Sequence, residues 1–239
     1  MRYFILLLIS FASVSSKGAH TLYLFPGQGS DHEIFSKMEF SDSFSLKHME
    51  LPTPRSGERM REYATRFISQ IDTNQRYSLI GVSLGGMICS ELADVLNPEN
   101  VIVISSAKCS SELPGRYRFQ SVFPLNKAIP TSWYNGGALF LQPIVEPDRN
   151  QEKETFIRML SRKDKTYMKR AVDMIVNWDK KSYNQKIVHI HGVSDHTIPI
   201  RNVKATMVIP DGSHMMALTR GQEIGRAIVE VLNQTSVSL

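Results

Sequence analysis

Residues 77–86, Tyr-Ser-Leu-Ile-Gly-Val-Ser-Leu-Gly-Gly, join a short apolar run to a helical pattern through a Gly-x-Ser-x-Gly turn. On so tight a strand-to-helix turn, Ser83 takes a strained backbone conformation and projects its Oγ above the edge of the sheet. Side chains at positions 81 and 85 would collide with the strand or the helix, which explains both glycines. The pattern predicts either a nucleophilic serine or a glycine-rich turn that only packs. The strand before it and the helix after it favour the nucleophile.

Apolar runs and helical patterns alternate on both sides of this turn. Strands are predicted at 21–25, 45–51, 77–80, 101–104, 186–191 and 205–209, and helices at 58–71, 86–97 and 220–232. Short apolar strands that alternate with helices predict an α/β fold with a mostly parallel sheet, covered by helices on both faces. In such sheets the active site lies at the carboxyl ends of the strands.

The alternation breaks between residues 107 and 185. This segment contains both tryptophans, and it has helical patterns only at 153–160 and 166–176. Because it is too long for a simple connection, we predict that 107–185 form a mainly helical cap over the active site. The cap is inserted into a core made of 20–106 and 186–239, and its aromatic residues, such as Trp133, line part of an apolar pocket. The alternative is that the segment only extends the scaffold.

The first 19 residues have the pattern of a secretory signal peptide. Met1-Arg2 carries one positive charge, 3–9 are apolar, and small residues follow at 12–16. The apolar run is too short to span a bilayer and precedes a plausible cleavage zone. We therefore expect a secreted or periplasmic protein, or a membrane-anchored one if the segment is retained. A buried first strand is disfavoured because the run lacks alternation.

The composition of the chain argues against nucleic-acid partners and metal ions. The 239 residues suit one α/β domain, and the formal net charge of +5 comes from scattered lysines and arginines. The densest basic stretch, 162–165 with Lys169 and Arg170, contains an acid and lies on a predicted helix, which indicates a solvated face rather than a nucleic-acid site. Cys89 and Cys109 form neither a disulfide framework nor a zinc site. We expect no metal and no nucleic-acid partner.

A nucleophilic serine needs a base, and the base needs a carboxylate that holds its tautomer. Asp195 follows the end of the strand at 186–191, and His214 stands just after the next strand and before the last helix. The order Ser83, Asp195, His214 is therefore predicted as the catalytic set, with His214 as the base.

Other acids and histidines compete for these two roles. Asp211 is the rival acid, but it is too close to His214 in sequence for the usual arrangement. His196 is adjacent to Asp195 and is poorly placed to form a hydrogen bond with its carboxylate while facing Ser83. His189 and His191 belong to the strand, which indicates packed or supporting positions.

An oxyanion formed during acyl transfer needs two backbone N–H groups. Leu84, directly after the serine, is predicted to supply one. The turn after the first strand, residues 26–31, is predicted to supply the other through Gln28, because glycines on both sides let its amide turn into the site. The alternative is an ordinary glycine turn.

Four segments, 25–31, 81–86, 191–199 and 212–214, occur in an order that resembles the α/β-hydrolase superfamily, including short bacterial hydrolases with a Pro-Gly-x-Gly-[Ala/Ser]-Asp loop. The resemblance implies an α/β-hydrolase fold and acyl transfer to water through a covalent acyl-enzyme, without metal or organic cofactor. One departure is Pro26, which stands where the superfamily commonly has a histidine in its oxyanion motif.

The combined pattern predicts a serine hydrolase, most specifically a carboxylesterase for a small or medium ester. Thioesterase or amidase chemistry remains an alternative, because the acyl pocket is set by the cap. A binding protein that keeps the three residues but only captures a ligand is the alternative from another class.

Overall fold

The described residues form one sheet of six strands, all parallel. The computed structural model describes residues 20–117 and 147–237, so the expected signal peptide and the cap residues 118–146, Trp133 among them, lie outside the described residues. The strands are β1 (His20–Phe25), β2 (Phe44–His48), β3 (Tyr77–Val82), β4 (Asn100–Ile104), β5 (Val188–Gly192) and β6 (Met207–Ile209). Their order in the sheet is β2-β1-β3-β4-β5-β6.

Six α-helices lie wholly within the described residues. They are α1 (Met60–Thr65), α2 (Leu84–Leu92), α3 (Lys153–Ser161), α4 (Lys165–Val176), α5 (Met216–Thr219) and α6 (Gly221–Val237). Short 3₁₀ turns are formed by His32–Phe35, Ile68–Gln70, Ser110–Glu112, Arg149–Glu152 and Ile200–Asn202. No helix among the described residues combines the length and the hydrophobicity that crossing a membrane requires.

The central strands β3 and β4 are buried on both faces, as their apolar runs predict. Successive side chains of a strand point to opposite faces. Tyr23, Phe25 and Leu79 therefore join a cluster with α1, α2 and α4, whereas Leu24 and Ile80 join a second cluster with α5 and α6. The predicted parallel sheet with helices on both faces is confirmed.

Element ends differ from the predictions for local reasons. The helix predicted at 58–71 stops at Thr65, because Arg66 and Phe67 bond to carbonyls three residues back and tighten the chain into the 3₁₀ turn Ile68–Gln70. Strand β2 ends at His48 rather than at residue 51. The helix after Ser83 ends at Leu92 and not near residue 97.

The connections place the candidate site. The chain leaves β1 for β2 on one side and then returns to pair β3 on the other side, so the topology switches between β1 and β3. Phe25 at the end of β1 is paired in register with Gly81 near the end of β3. Open α/β sheets bind ligands at the carboxyl ends of strands at such a switch point. Ser83 and the glycine turn after β1 both lie there.

Candidate active site

Ser83 lies on a strained strand-to-helix turn. Its φ of 51° and ψ of −117° belong to a backbone conformation that side-chain-bearing residues rarely adopt. Its N–H donates to the carbonyl of Ile104 at 2.9 Å, which ties the turn to β4. A Cβ on Gly81 would lie 2.4 Å from the carbonyl carbon of Gly85, and a Cβ on Gly85 would lie 2.2 Å from the oxygen of Phe25. Only glycine fits at either position.

Ser106, two residues after the end of β4, supports this turn, and the sequence did not single it out. Its Oγ donates to the carbonyl of Ser83 at 2.6 Å. A Cβ on Gly86 would lie 2.5 Å from the same Oγ, so α2 approaches Ser106 closely at its first turn. The hydroxyl therefore holds the backbone of the turn whose side chain is the candidate nucleophile.

Two glycines bring the loops that follow β5 and β6 together. A Cβ on Gly192 would lie 2.0 Å from the carbonyl oxygen of Gly212, so neither residue has room for a larger side chain there. The N–H of Ser194 donates to the same carbonyl at 2.9 Å. This close approach sets Asp195 and His214 beside each other.

Ser83, His214 and Asp195 form a continuous line of hydrogen bonds. The Oγ of Ser83 lies 2.9 Å from Nε2 of His214, and Nδ1 of His214 lies 2.9 Å from Oδ2 of Asp195. An ionised carboxylate only accepts, so Nδ1 carries the hydrogen and Nε2 is free to accept from the hydroxyl. This is the geometry in which an imidazole can take a proton from a serine.

Asp195 is almost completely buried, yet its carboxyl group favours the ionised form. Its side chain is shielded from solvent, and the second oxygen, Oδ1, accepts from the N–H of Ile198 at 2.7 Å. Burial alone would raise the pKa of Asp195. The charge of His214, the hydrogen bond to it and the neighbouring His191 outweigh burial and hold the pKa below its usual value.

The rival residues are placed differently. Asp211 is exposed and has a positive φ of 55° in the turn that ends β6. His196 is exposed on the loop beside Asp195. His189 and His191 are completely buried in β5, and the structure brings His191 Nε2 to 3.4 Å from Oδ2 of Asp195. The candidate set is thus Ser83, Asp195 and His214, and its catalytic role stays a prediction.

The glycine turn after β1 lies directly against the serine. A Cβ on Gly27 would lie 3.2 Å from the Cβ of Ser83. Ser30 N–H donates to the carbonyl of Gly27 at 3.2 Å, and Gly29 has a φ of 80°, as the third residue of a type II turn requires. Among the hydrogen bonds of the described residues, none uses the N–H of Gln28 or of Leu84. Both amides remain predicted oxyanion donors.

Helices α3 and α4 of the predicted cap segment pack on this turn. Leu160 and Met168 are the nearest side chains to Gly29, and the side-chain amide of Gln28 donates to the carbonyl of Met168 at 3.1 Å. Four charged residues then link α3 to the chain that follows the turn, and we call them the surface ion-pair cluster: Asp31, Glu33, Arg158 and Arg162. The basic stretch predicted as a solvated face therefore includes one arginine, Arg162, that is paired with two acids.

A cavity of about 420 Å³ lies beside the candidate site and is lined by Arg116, Val193, Asp195, His196, Pro199, Ile200 and Arg201. A larger one of about 700 Å³ lies between residues 36–39 and residues 219–226, at the start of α6, and contains none of the three candidate residues. No cluster of histidine, cysteine or acidic side chains in the described part of the chain could hold a metal ion.

Solved structures share this architecture over nearly the whole chain. An esterase from Thermogutta terrifontis, solved with malate bound, is 14% identical with a TM-score of 0.67, and the match covers 92% of this chain and 91% of that one. The enol-lactonase from Burkholderia xenovorans is 15% identical with a TM-score of 0.65, covering 90% and 92%. MenH from S. aureus is 14% identical with a TM-score of 0.67, covering 91% and 95%.

No family model and no curated protein sequence matches the chain. The structural likeness at such low identity establishes the fold and leaves the activity open. The α/β-hydrolase fold predicted from the four sequence segments is confirmed.

Proposed function

We propose that this chain, which has the α/β-hydrolase fold, is a serine hydrolase, and most specifically a carboxylesterase for a small or medium ester. The observation that carries the proposal is the line from Ser83 Oγ through His214 to Asp195, with 2.9 Å at each step. It supplies a nucleophile, a base and an orienting carboxylate, which is the complete set for acyl transfer through a covalent intermediate.

The proposed reaction gives each of these groups one role. His214 Nε2 takes the proton of Ser83 as Oγ attacks the ester carbonyl, and the new bond gives a tetrahedral oxyanion. The N–H groups of Leu84 and Gln28 stabilise that oxyanion. His214 then gives the proton to the departing alcohol. Water repeats the sequence on the acyl-enzyme, releases the acid and restores Ser83.

The proposal also covers the cofactors, the substrate class and the location of the enzyme. No metal or organic cofactor takes part, and the partner is a small-molecule ester rather than a nucleic acid. The leader-like residues 1–19 direct the protein to the periplasm or the medium. Enzymes named as an esterase and an enol-lactonase among the structural neighbours act on ester bonds, which supports this substrate class.

Ser83→Ala tests the proposal most directly. Hydrolysis of nitrophenyl esters should fall by about 10⁴–10⁶-fold, since loss of the nucleophile removes the covalent route. A fluorophosphonate probe followed by mass spectrometry should label wild type once, at Ser83, and should label the exposed-serine control Ser182→Ala equally well.

Two other outcomes point to the alternatives. Turnover of thioesters or amides in preference to esters would reassign the substrate. Tight binding of an ester with no turnover and no probe label would support a binding protein.

A further inference from the structure

A row of buried polar side chains runs from Asp195 into the core. Lys108, His189 and His191, which we call the polar row, are at most 2% exposed. The two histidines are two residues apart on β5 and share one face of the sheet, while Lys108 follows the neighbouring strand β4. Buried polar groups destabilise a fold unless they are hydrogen-bonded, so the contacts of the row decide its role.

The contacts of His191 assign its tautomer. Its Nε2 lies 2.8 Å from the carbonyl oxygen of Ile198. A carbonyl only accepts, so Nε2 carries the hydrogen. The same Nε2 also lies 3.4 Å from Oδ2 of Asp195, close enough for electrostatic attraction, while its N–H donates to the carbonyl of Ile198. The Nδ1 of a neutral His191 is then an acceptor.

His189 and Lys108 continue the row of hydrogen bonds from His191 into the core. Nε2 of His189 lies 3.0 Å from Nδ1 of His191 and donates to it. Nδ1 of His189 in turn accepts from the ammonium of Lys108 at 3.3 Å. Burial holds the pKa of both histidines below the usual value, so both rings are neutral at neutral pH. The hydrogen bonds that join members of the row therefore all run from Lys108 toward His191, which donates to Ile198 beside Asp195.

The far end of the row is fixed by Glu112. Its Oε1 lies 3.1 Å from the ammonium of Lys108, and its carboxylate also accepts from the backbone N–H of Lys108 at 2.7 Å and of Lys204 at 3.2 Å. The ammonium also donates to the carbonyl of Lys204 and stands 4.6 Å from the centre of the Tyr183 ring. These contacts fix the position of the Lys108 ammonium, and the carboxylate of Glu112 balances its charge.

We propose that His191 is a positioning residue for the carboxylate of Asp195, and that Lys108 and His189 fix the tautomer in which His191 does this. The inference rests on the proposed function, because it assigns Asp195 the task of orienting His214. His214 bonds to Oδ2, the N–H of Ile198 bonds to Oδ1, and His191 bonds to the carbonyl of Ile198 and stands 3.4 Å from Oδ2. The carboxylate cannot turn without breaking one of its two hydrogen bonds, and His191 holds the residue that supplies one of them.

Two variants break the row at different points. His191→Phe keeps a ring and removes both nitrogens, and Lys108→Met keeps an unbranched chain and removes the ammonium. Lys186→Met, at an exposed lysine just before β5, is the matched control. Circular dichroism and thermal melting establish that each variant folds. We expect kcat to fall by about 10-fold in His191→Phe, the effect of one lost hydrogen bond beside the carboxylate, with KM unchanged.

The pH profile separates positioning from a merely structural role. The ionisable groups near His191 are Asp195, His189, His214 and Glu112. Without the N–H of His191, more negative charge on Asp195 faces His214 and favours its protonated form. The acid limb of kcat/KM should therefore move to higher pH. An unshifted limb with lower activity at every pH would mean a structural role only and would overturn the proposal.

Nitrogen-15 NMR of the histidine side chains tests the row without any substrate. Wild type should show His189 and His191 as neutral Nε2–H rings, and Lys108→Met should perturb the signal of His189. Nδ1–H or protonated rings in wild type would overturn the assignment. If no probe or ester reacts with Ser83, the proposed function fails. If Ser83 reacts and both variants keep the wild-type pH profile, only the positioning role fails.

Discussion

The polar row and the surface ion-pair cluster both join charged groups across elements distant in sequence, but they differ in their access to water. Lys108 and Glu112 are 2% and 6% exposed, whereas Arg158 and Arg162 are nearly half exposed. Water and salt screen the second set and hardly reach the first. The same type of contact should therefore be strong and independent of salt behind the candidate site, and weak and dependent on salt where α3 meets the chain after β1.

The largest effect is expected where the row meets the candidate site. Asp195→Asn should lower kcat by about 10³–10⁴-fold with KM nearly unchanged, because an amide at this position favours the wrong tautomer of His214. Steady-state kinetics on a nitrophenyl ester measure the change. Asp211→Asn, at the exposed rival acid, is the control and should be mild. If Asp211→Asn were the damaging change, the assignment of the acid would be wrong.

The second largest effect is expected on stability, at Glu112, which lies at the end of the polar row away from Asp195. Glu112→Gln removes the negative partner of a buried ammonium, which should lower the free energy of unfolding by about 3 kcal/mol. Urea denaturation measures it. Glu223→Gln removes an acid from the partly exposed pair that Glu223 on α6 makes with Arg220, and its effect should stay within about 0.5 kcal/mol. Equal losses in the two variants would contradict the difference in screening.

Sequence predicted the parts of the site that local patterns define. The turn around Ser83 has its own signature, and the order of Asp195 and His214 along the chain follows from where the strands end. The polar row has no such signature, because Lys108 and His189 are 81 residues apart and only the pairing of β4 with β5 brings them together. His191 was expected to be packed or supporting, but its partner was not foreseen.

The surface ion-pair cluster was missed for the same reason. The run that contains Arg162 has the composition of a solvated helix face, and Asp31 lies 131 residues away in sequence. Ser106 likewise has no motif of its own, although its hydroxyl holds the turn at Ser83. Contacts across a sheet or between distant segments depend on topology, which composition does not encode.

Acid should affect the two regions in different pH ranges. Burial lowers the pKa of His189 and His191 in the folded protein. Below about pH 6.5 the unfolded chain binds protons that the folded one does not. The free energy of unfolding should therefore fall as the pH drops from 7 to 5, by up to about 1.4 kcal/mol per pH unit for each buried histidine.

Glu33 in the surface cluster responds only at lower pH. A hydrogen bond from Arg158 holds its pKa at about 2, below the usual 4.5. Its stabilising contribution is complete above pH 4.5 and is lost as the pH falls through about 2. Glu33→Gln should therefore keep the wild-type slope between pH 7 and 5 in urea titrations. His20 and His48, whose pKa burial also lowers, add to that slope in both proteins. If the free energy of unfolding of wild type did not change between pH 7 and 5, the buried rings of His189 and His191 would not be neutral in the folded protein.

The smallest expected effect is at the surface cluster itself. Arg162 Nη1 lies 3.0 Å from Oδ2 of Asp31, but about half of its side chain is in solvent. Exposed ion pairs contribute little, so Arg162→Gln should lower Tm by no more than about 2 °C at low salt. At 1 M salt the screening length is about 3 Å, and the difference from wild type should vanish.

Lys153→Gln, at an exposed lysine of α3, the helix that Arg162 directly follows, provides the control for loss of charge alone. The decisive measurement is the salt dependence of Arg162→Gln set against that of Glu112→Gln in the same buffers. The buried pair is shielded from mobile ions, so its loss should persist at 1 M salt. If Arg162→Gln destabilised the protein as strongly as Glu112→Gln and kept that effect at high salt, solvent exposure would not be what separates the two regions. The contacts of α3 with the turn at Gly29 would then have to depend on Arg162 for more than charge.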